Sequence, residues 1–310
     1  METRWREAPA LPDWLEAEMP FGRKLAELND GTLCRRLHVV DHGEGPVVVL
    51  VHGNPTWSFL WRKVIARLDG FRCVAPDLLG LGLSDKPLRP RTHQLAWHVA
   101  HIEQVVRAAT DEPVIVVGQD WGGPIAAGVA RRLGERVAGV VFGNTGVIRP
   151  RRPLKTKAFH RFSRMPLISD AVFRLGGFPQ RGFLGRAQGD PASIGALEAR
   201  AYQWPLRRVR DRAAPLGLAR MVPNHEGHPS IVEMDAIGAW VEQFRGPSAL
   251  VWGLRDPILG RGLRRHRSAL PTAEVWETDA GHFSQEECPD TWAAAIRFVA
   301  DAASKDVAVL

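Results

Sequence analysis

The sequence predicts an α/β fold, with a mostly parallel central sheet flanked by helices and a helical segment inserted between two strands. Short β-branched runs alternate along the chain with stretches of helical periodicity. These runs are continuously apolar, as expected for parallel strands that are buried on both faces. The alternation stops after Pro150, and the chain that follows contains no convincing strand for about seventy residues.

The predicted strands share a β-branched, apolar composition, and a Gly, Pro or Asp lies at or close to the end of each. They are VVVLV (47–51), FRCVAPD (71–77), VIVVGQD (114–120), VAGVVFGN (137–144), ALVWG (249–253) and EVWET (274–278). Helical spacing of apolar residues predicts helices over residues 94–109, 123–133 and 289–302.

Residues 149–223 differ in composition from the rest of the chain. Between Arg149 and Arg220 there are 16 Lys and Arg against 4 Asp and Glu, whereas the whole chain carries a net charge of +7. We interpret residues 149–223 as a helical cap domain and residues 1–148 and 224–310 as one core domain. The segment has no known nucleic-acid motif, so we interpret its charge as a solvated arginine-rich surface.

The remaining composition favours a soluble cytoplasmic protein with no metal, membrane or nucleic-acid partner. The three cysteines, Cys34, Cys73 and Cys288, are widely spaced and form no CxxC pair, which disfavours a zinc site or a disulfide framework. The first thirty residues are too charged for a secretory signal. No apolar run approaches the ~20 residues that a membrane span requires.

The strongest motif is GQDWGG, residues 118–123, which joins an apolar strand directly to a helix. A strand, a sharp glycine-rich turn and a helix are the context of the nucleophile elbow of the α/β-hydrolase fold. The residue at the tip of this turn is Asp120. A carboxylate needs no deprotonation before it attacks, so it can displace a leaving group from an sp³ carbon and form an alkyl ester. The alternative is an aspartate that caps the following helix.

Three further segments agree with the elbow. HGNPTW, residues 52–57, follows the first strand, where an α/β-hydrolase places the second donor of its oxyanion hole. Asp256 and His282 each follow one of the last two strands. The chain order Asp120, Asp256, His282 is therefore nucleophile, acid and histidine, the order typical of this fold.

A glycine-rich loop, residues 75–85, closes the second predicted strand and contains two aspartates. We interpret Asp77 and Asp85 as structural residues of the turn, since Asp commonly accepts backbone hydrogen bonds there. They are not part of the predicted catalytic set.

These motifs resemble those of the haloalkane dehalogenases, a family of the α/β-hydrolase superfamily. The resemblance spans roughly residues 30–300 and rests on HGNPTWSFLWR, APDLLGLGLSDKP, GQDWGG, VWGLRDP and AGHFSQEE. It implies that Asp120 is the nucleophile, His282 the general base and Asp256 the acid that orients it. It also implies that the Asn54 amide and the Trp121 indole N–H bind the halide, while the backbone N–H groups of both residues form the oxyanion hole.

The expected reaction converts a small apolar halogenated substrate and water into an alcohol, a halide ion and a proton, without a cofactor. In part of the family a carboxylate precedes the cap, but here that stretch reads FGNTGVIRP, with Asn144 and Gly146. The acid therefore falls to Asp256. This combination resembles the third subfamily, whose members tend to prefer brominated or iodinated chains and to self-associate, so a homo-oligomer is expected.

Four other functions are alternatives to haloalkane hydrolysis. An epoxide hydrolase needs two cap tyrosines, whereas the chain has one tyrosine, Tyr202. A fluoroacetate-type dehalogenase carries arginine after the nucleophile, where this chain has Trp121. A coelenterazine-oxidising luciferase has no positive support in the sequence. A non-enzymatic protein of the same fold would bind a small ligand or a partner through its cap.

Five aromatic residues of the predicted cap have two interpretations. Their side chains line an apolar substrate cavity, or they hold the cap together, which is the commoner use of aromatic residues at helical spacing. They are Phe159, Phe162, Phe173, Phe178 and Trp204.

Overall fold

The computed structural model describes residues 2–29, 33–150, 154 and 158–308. Its described residues form one nine-stranded sheet in the order β1-β2-β3-β5-β4-β6-β7-β8-β9. The pairings among strands β4 to β9 are parallel, whereas the pairings of β1 with β2, β2 with β3 and β3 with β5 are antiparallel. The strands are β1 (Glu2–Glu7), β2 (Arg23–Asn29), β3 (Cys34–His42), β4 (Val47–Val51), β5 (Arg72–Pro76), β6 (Val114–Asp120), β7 (Val137–Thr145), β8 (Ser248–Gly253) and β9 (Glu274–Thr278).

The α-helices lie in the connections between these strands and after the last one. In the described part of the chain they are α1 (Asp13–Glu16), α2 (Arg62–Ile65), α3 (Leu95–Ala109), α4 (Gly122–Leu133), α5 (Ala158–Arg164), α6 (Ile168–Asp170), α7 (Ala196–Gln203), α8 (Ala213–Met221), α9 (Ser230–Gln243), α10 (Leu263–Ala269), α11 (Ser284–Glu287) and α12 (Pro289–Ala308). None of these described helices combines the length and the apolar composition needed to cross a membrane.

The predicted fold class is confirmed. Strand β4 shows why the parallel strands could be predicted from the sequence. All five residues of β4 are buried, and alternate side chains point to opposite faces of the sheet. Val49 and Val51 pack in one apolar core with helices α3, α4 and α9, whereas Val48 and Leu50 pack in a second core with α2 and α12. The six predicted strands and three predicted helices are all present, with ends shifted by a few residues.

Strands β1 to β3 were not predicted. They pair antiparallel at one edge of the sheet, and β1 consists of the residues ETRWRE, of which four are charged. Strand β2 buries only Ala26 and Leu28. Because β1 and β2 are only partly buried, they lack the continuous apolar run that marks the parallel strands. In β3 the buried run Leu37–Val40 is interrupted by the polar His38.

Most of the predicted cap segment is described, and residues 151–153 and 155–157 of it lie outside the described residues. Helices α5 to α8 occupy its described part, which contains no strand and follows β7 in the chain. Phe173 is buried against Phe162, Phe178, Leu216 and Ala219, an arrangement that holds this segment together.

The two remaining cap aromatics take other positions. Trp204 packs edge-on against Trp14 of α1, with ring centroids 5.9 Å apart. The side chain of Phe159 is exposed. Neither arrangement places these rings around a closed apolar cavity.

Asp77 fixes the loops that follow β4 and β5. Its buried carboxylate accepts the N–H of Ser58 at 2.7 Å on Oδ1 and the N–H of Leu83 at 2.8 Å on Oδ2, and Oδ2 lies 2.9 Å from Nδ1 of His38. Burial alone raises the pKa of Asp77, but His38 and the backbone donors outweigh it and hold the value at about 2. The carboxylate therefore stabilises the fold, which agrees with the interpretation of Asp77 as a structural residue of the turn.

We expect Asp77→Asn to lower the free energy of unfolding at pH 7 by about 2 kcal/mol, the equivalent of its pKa shift. The native pKa is below the ordinary value of 3.8, so this contribution is present above pH 3.8 and is lost as the pH falls through about 2. Urea unfolding at several pH values measures it. A difference between wild type and variant that grows on acidification would contradict the assignment.

Candidate active site

The turn between β6 and α4 presents Asp120 at the carboxyl end of the sheet. The backbone of Asp120 has φ of 51°, in the left-handed region that non-glycine residues rarely adopt. The turn is crowded: a Cβ at Gly118 would overlap the carbonyl of Gly122, and a Cβ at Gly122 would overlap the carbonyl of Val51. The hydroxyl of Thr145 donates to the carbonyl of Asp120 at 2.6 Å. The glycines of the motif therefore permit a strained turn, as found at functional sites.

Asp120 does not cap the helix that follows it. Helix α4 has Trp121 at its N-cap position, with no side-chain capping hydrogen bond. The Asp120 carboxylate instead accepts the backbone N–H of Asn54 at 2.8 Å on Oδ1. The loop after β4 thus supplies a donor to the carboxylate.

Asn54 and Trp121 both lie next to Asp120, one through its backbone contact with the carboxylate and the other as the next residue of the chain. One amide N–H of Asn54 donates to the carbonyl of Pro215, in helix α8, at 3.1 Å. Trp121 is 8% exposed. Among the described residues, no acceptor is bonded to its indole N–H, so this donor is available to a ligand.

His282 lies between two carboxylates. Its Nδ1 is 2.8 Å from Oδ2 of Asp256, and its Nε2 is 3.5 Å from Oδ2 of Asp120. The residue is 1% exposed. Burial lowers the pKa of His282, but the charge of Asp256 and the hydrogen bonds to both carboxylates outweigh it and raise the value to about 10.

Asn144 holds the Asp256 carboxylate, a role that the sequence analysis missed. Its amide donates to Oδ2 of Asp256 and to the carbonyl of Gly253, both at 2.9 Å, and its Oδ1 accepts the N–H of Gly253 at 2.7 Å. Oδ1 of Asp256 accepts the N–H of Ile258 at 2.7 Å. Burial raises the pKa of Asp256, but His282 and the backbone N–H groups of Ile258 and Leu259 bring it below its ordinary value.

The structure brings the five predicted site residues together at one edge of the sheet. Gln119 adds a contact that was not predicted: its amide donates to the carbonyl of His282 at 2.8 Å. Gln119 directly precedes Asp120 in β6, and Asn144 lies near the end of β7, between β6 and β8. This position at the carboxyl ends of the strands was the available signal. Among the described residues, no group of three or more His, Cys, Asp or Glu is arranged to hold a metal ion.

Comparisons with known proteins agree on the family. The family model described as alpha/beta hydrolase fold matches residues 46–289. Haloalkane dehalogenase 2 of Mycobacterium tuberculosis is 36% identical to this chain over 270 residues, which cover 84% of the chain and 90% of that protein. The chain belongs to the haloalkane dehalogenase family. The resemblance inferred from its motifs is confirmed.

Two further relatives are similar to this chain over most of its length. The crystal structure of a haloalkane dehalogenase from Agrobacterium tumefaciens superposes with a TM-score of 0.75 at 25% identity, covering 89% of this chain and 97% of that one. A cis-3-alkyl-4-alkyloxetan-2-one decarboxylase of Shewanella oneidensis is 31% identical over 294 residues, 89% of this chain and 87% of that protein. The scaffold therefore occurs with two named activities.

The charge pair between His282 and Asp120 predicts a measurable shift. Asp120→Asn keeps the shape of the side chain but removes one carboxylate charge, so the pKa of His282 should fall below its native value of about 10. A pH titration of the imidazole nitrogens by NMR measures it. Asp290→Asn, at an exposed carboxylate that pairs with Arg67, is the control and should leave the pKa unchanged. An unchanged or raised pKa in Asp120→Asn would show that the two groups do not interact.

Proposed function

We propose that the protein hydrolyses haloalkanes to an alcohol, a halide ion and a proton through an alkyl ester on Asp120. One observation carries the proposal: the Asp120 carboxylate is held on Oδ1 by the N–H of Asn54, with Oδ2 directed at His282. A carboxylate in this position has one oxygen that is held by a backbone donor and a second oxygen that faces a histidine able to act as a base. Those are the requirements of a nucleophile that must later be released by water.

The first step is displacement at carbon. Because Oδ1 of Asp120 accepts a hydrogen bond from Asn54, Oδ2 is the oxygen that attacks the halogen-bearing carbon. The new C–O bond forms as the carbon–halogen bond breaks, and the halide leaves with the bonding electrons. A halide is a weak base and needs no proton, so neutral donors suffice. The unpaired indole N–H of Trp121 and the second amide N–H of Asn54 would stabilise it.

The second step depends on the charge that the first one removes. Esterification neutralises Asp120, and an imidazolium loses one of the two carboxylates that favour its charged form. The pKa of His282 then falls, and the imidazolium releases its proton to solvent. The neutral imidazole takes a proton from water while Asp256 stabilises the resulting cation. The hydroxide attacks Cγ of Asp120, and the oxyanion on Oδ1 is held by the backbone N–H groups of Asn54 and Trp121.

The tetrahedral intermediate then collapses. The C–O bond to the alkyl group stays intact, the bond from Cγ to the ester oxygen breaks, and the alcohol leaves with one proton. The Asp120 carboxylate is restored, and the proton that His282 took from the water stays on it, which regenerates the imidazolium between two carboxylates. The sum is one haloalkane and one water consumed, with one alcohol, one halide and one proton released.

We extend the proposal to the organisation of the chain, with residues 149–223 as a cap over the site formed by the core. The hydrogen bond from Asn54 to the carbonyl of Pro215 supports it, since it joins the two parts beside Asp120. Membership of the third subfamily, a preference for bromide and iodide, self-association and a cytoplasmic location stay predictions of the sequence.

Epoxide hydrolysis is disfavoured by the position of Tyr202. The oxygen of an opening epoxide needs an acid, but the Tyr202 hydroxyl donates to Oε1 of Glu286 at 2.5 Å and is buried there. Burial and the adjacent carboxylate raise the pKa of Tyr202 well above its ordinary value, which makes it a weaker acid. It is also the one tyrosine of the sequence.

Decarboxylation of a disubstituted oxetan-2-one is the second candidate function. The observation that favours it is the decarboxylase relative, which is 31% identical over 89% of this chain. Oδ2 of Asp120 would attack the saturated ring carbon that is bonded to the ring oxygen. The bond between this carbon and the ring oxygen would break and leave a carboxylate. Loss of CO₂ would then expel Asp120 and form an alkene, without water. His282 would have no water to activate in this reaction.

A substrate panel separates these functions. We expect halide release from terminal bromo- and iodoalkanes, slower release from chloroalkanes because chloride is the poorer leaving group, and no turnover of epoxides. Ion chromatography measures halide, and gas chromatography measures alcohol, diol or alkene. Asp120→Asn is the matched inactive control. Alkene from a cis-dialkyl oxetan-2-one, with no halide from any haloalkane, would replace the first proposal by the second.

A further inference from the structure

The main chain around His282 is bonded to the predicted cap. The N–H of His282 donates to the carbonyl of Ala187 at 2.8 Å. The next residue, Phe283, is engaged twice by one side chain: its N–H donates to Oε1 of Gln188 at 2.8 Å, and its carbonyl accepts from Nε2 of Gln188 at 3.1 Å. The carbonyl of His282 accepts from Gln119. Each backbone polar group of the pair 282–283 therefore has a named partner.

These contacts are buried and close. Gln188 is 7% exposed, and the ring of Phe283 packs edge-on against the His282 imidazole with centroids 4.7 Å apart. A Cβ at Gly281 would overlap the carbonyl of Ala187 and the backbone of Gln188. Only a glycine before His282 permits the two segments to approach so closely.

Glu287 makes a second link between the same two segments. Its carboxylate accepts the N–H of Gly281 at 2.6 Å from the histidine loop. It also accepts the N–H of Gly189 at 3.2 Å and of Asp190 at 2.6 Å from the cap. Gln188 is itself held, since its Nε2 lies 3.1 Å from the hydroxyl of Ser193.

We propose that Gln188 is a positioning residue for His282. Its amide holds the backbone of Phe283, and this backbone directs the imidazole at Asp120. The role in turnover rests on the proposed function. Because Gln188 belongs to the cap, a displacement of residues 187–190 would also turn the imidazole away from the ester.

The two chemical steps should respond differently to the loss of Gln188. Alkylation uses Asp120, Asn54 and Trp121, and none of these three is bonded to Gln188. Hydrolysis needs a water held by His282 at the right distance from Cγ. Misplacement of a catalytic group by about 1 Å slows a step on the order of a hundredfold.

The first test is Gln188→Met, which keeps the length of the side chain and removes both hydrogen bonds. We expect rapid release of one halide per active site, followed by ester hydrolysis slowed on the order of tenfold to a hundredfold. Rapid-quench halide assays and intact-protein mass spectrometry measure the burst and the accumulated alkyl-enzyme. Equal slowing of both steps, or no change in hydrolysis, would overturn the proposal.

Gln180→Met is the matched control. Gln180 is also a buried glutamine of the cap. When its side-chain amide is oriented with the nitrogen toward the carbonyls of Gly177 and Phe178, the NH₂ group donates to both at 3.2 Å. This variant removes similar bonds without touching the histidine loop. We expect its burst and its hydrolysis rate to match wild type. Slowed hydrolysis here would show that general loosening of the cap explains both variants.

Gln188→Glu provides a rescue that depends on pH. A protonated carboxyl accepts from the N–H of Phe283 and donates to its carbonyl, as the amide does, whereas the ionised form loses the donor. We expect hydrolysis close to the wild-type rate at low pH and a growing defect relative to wild type as the pH rises. A pH-independent ratio of the two rates would contradict the role of Gln188. This comparison also serves if Gln188→Met fails to fold.

Titration of His282 by NMR separates this proposal from the proposed function. In the free protein, an imidazole turned away from Asp120 loses a favourable contact, so the pKa in Gln188→Met should fall below that of wild type. Absence of halide release by wild type would reject the function and leave this measurement valid. An unshifted pKa in the variant would reject the positioning role.

Discussion

The contact of His282 with two carboxylates is the constraint on which the site depends. An imidazolium between Asp120 and Asp256 is stable although it is buried, because both carboxylates favour its charged form. In the proposed mechanism, an ester on Asp120 would remove one of these two charges and lower the pKa of His282. The base would then gain its function only when there is an ester to hydrolyse, and this would fix the order of the two proposed steps.

Much of the fold was predictable because burial leaves a simple pattern. Strands β4 and β6 are buried on both faces and carry almost nothing but valine, isoleucine and leucine before the turn. Strands β1 to β3 were not predictable in the same way. These strands pair antiparallel at the sheet edge, and β1 contains both acidic and basic residues. Strands β1 and β2 are only partly buried, and the buried run of β3 contains His38. Their pairing is decided by tertiary structure and leaves only a weak local pattern.

The arrangement of the candidate site was predictable only in part. That Asp120, Asp256 and His282 lie close together was predictable because each lies at or after the end of a recognisable strand, in an order typical of the fold. Their catalytic roles stay predictions. In the sequence, Asn144 stands out only because this position lacks a carboxylate. In the structure it holds the Asp256 side chain from the end of the adjacent strand β7. Gln188 had no signal at all, because its partner Phe283 is 95 residues away and is bonded through its backbone. A backbone partner imposes no residue type that a single sequence could reveal.

The most direct test of the central claim is the mass of His282→Phe after mixing with excess bromoalkane. Without the imidazole, attack by Asp120 should proceed and hydrolysis should stop, so one bromide per active site is released and the protein gains the mass of the alkyl group. Peptide mapping should locate the group on Asp120. The double variant with Asp120→Ala should show neither the burst nor the mass gain. A burst that survives in the double variant would contradict the account.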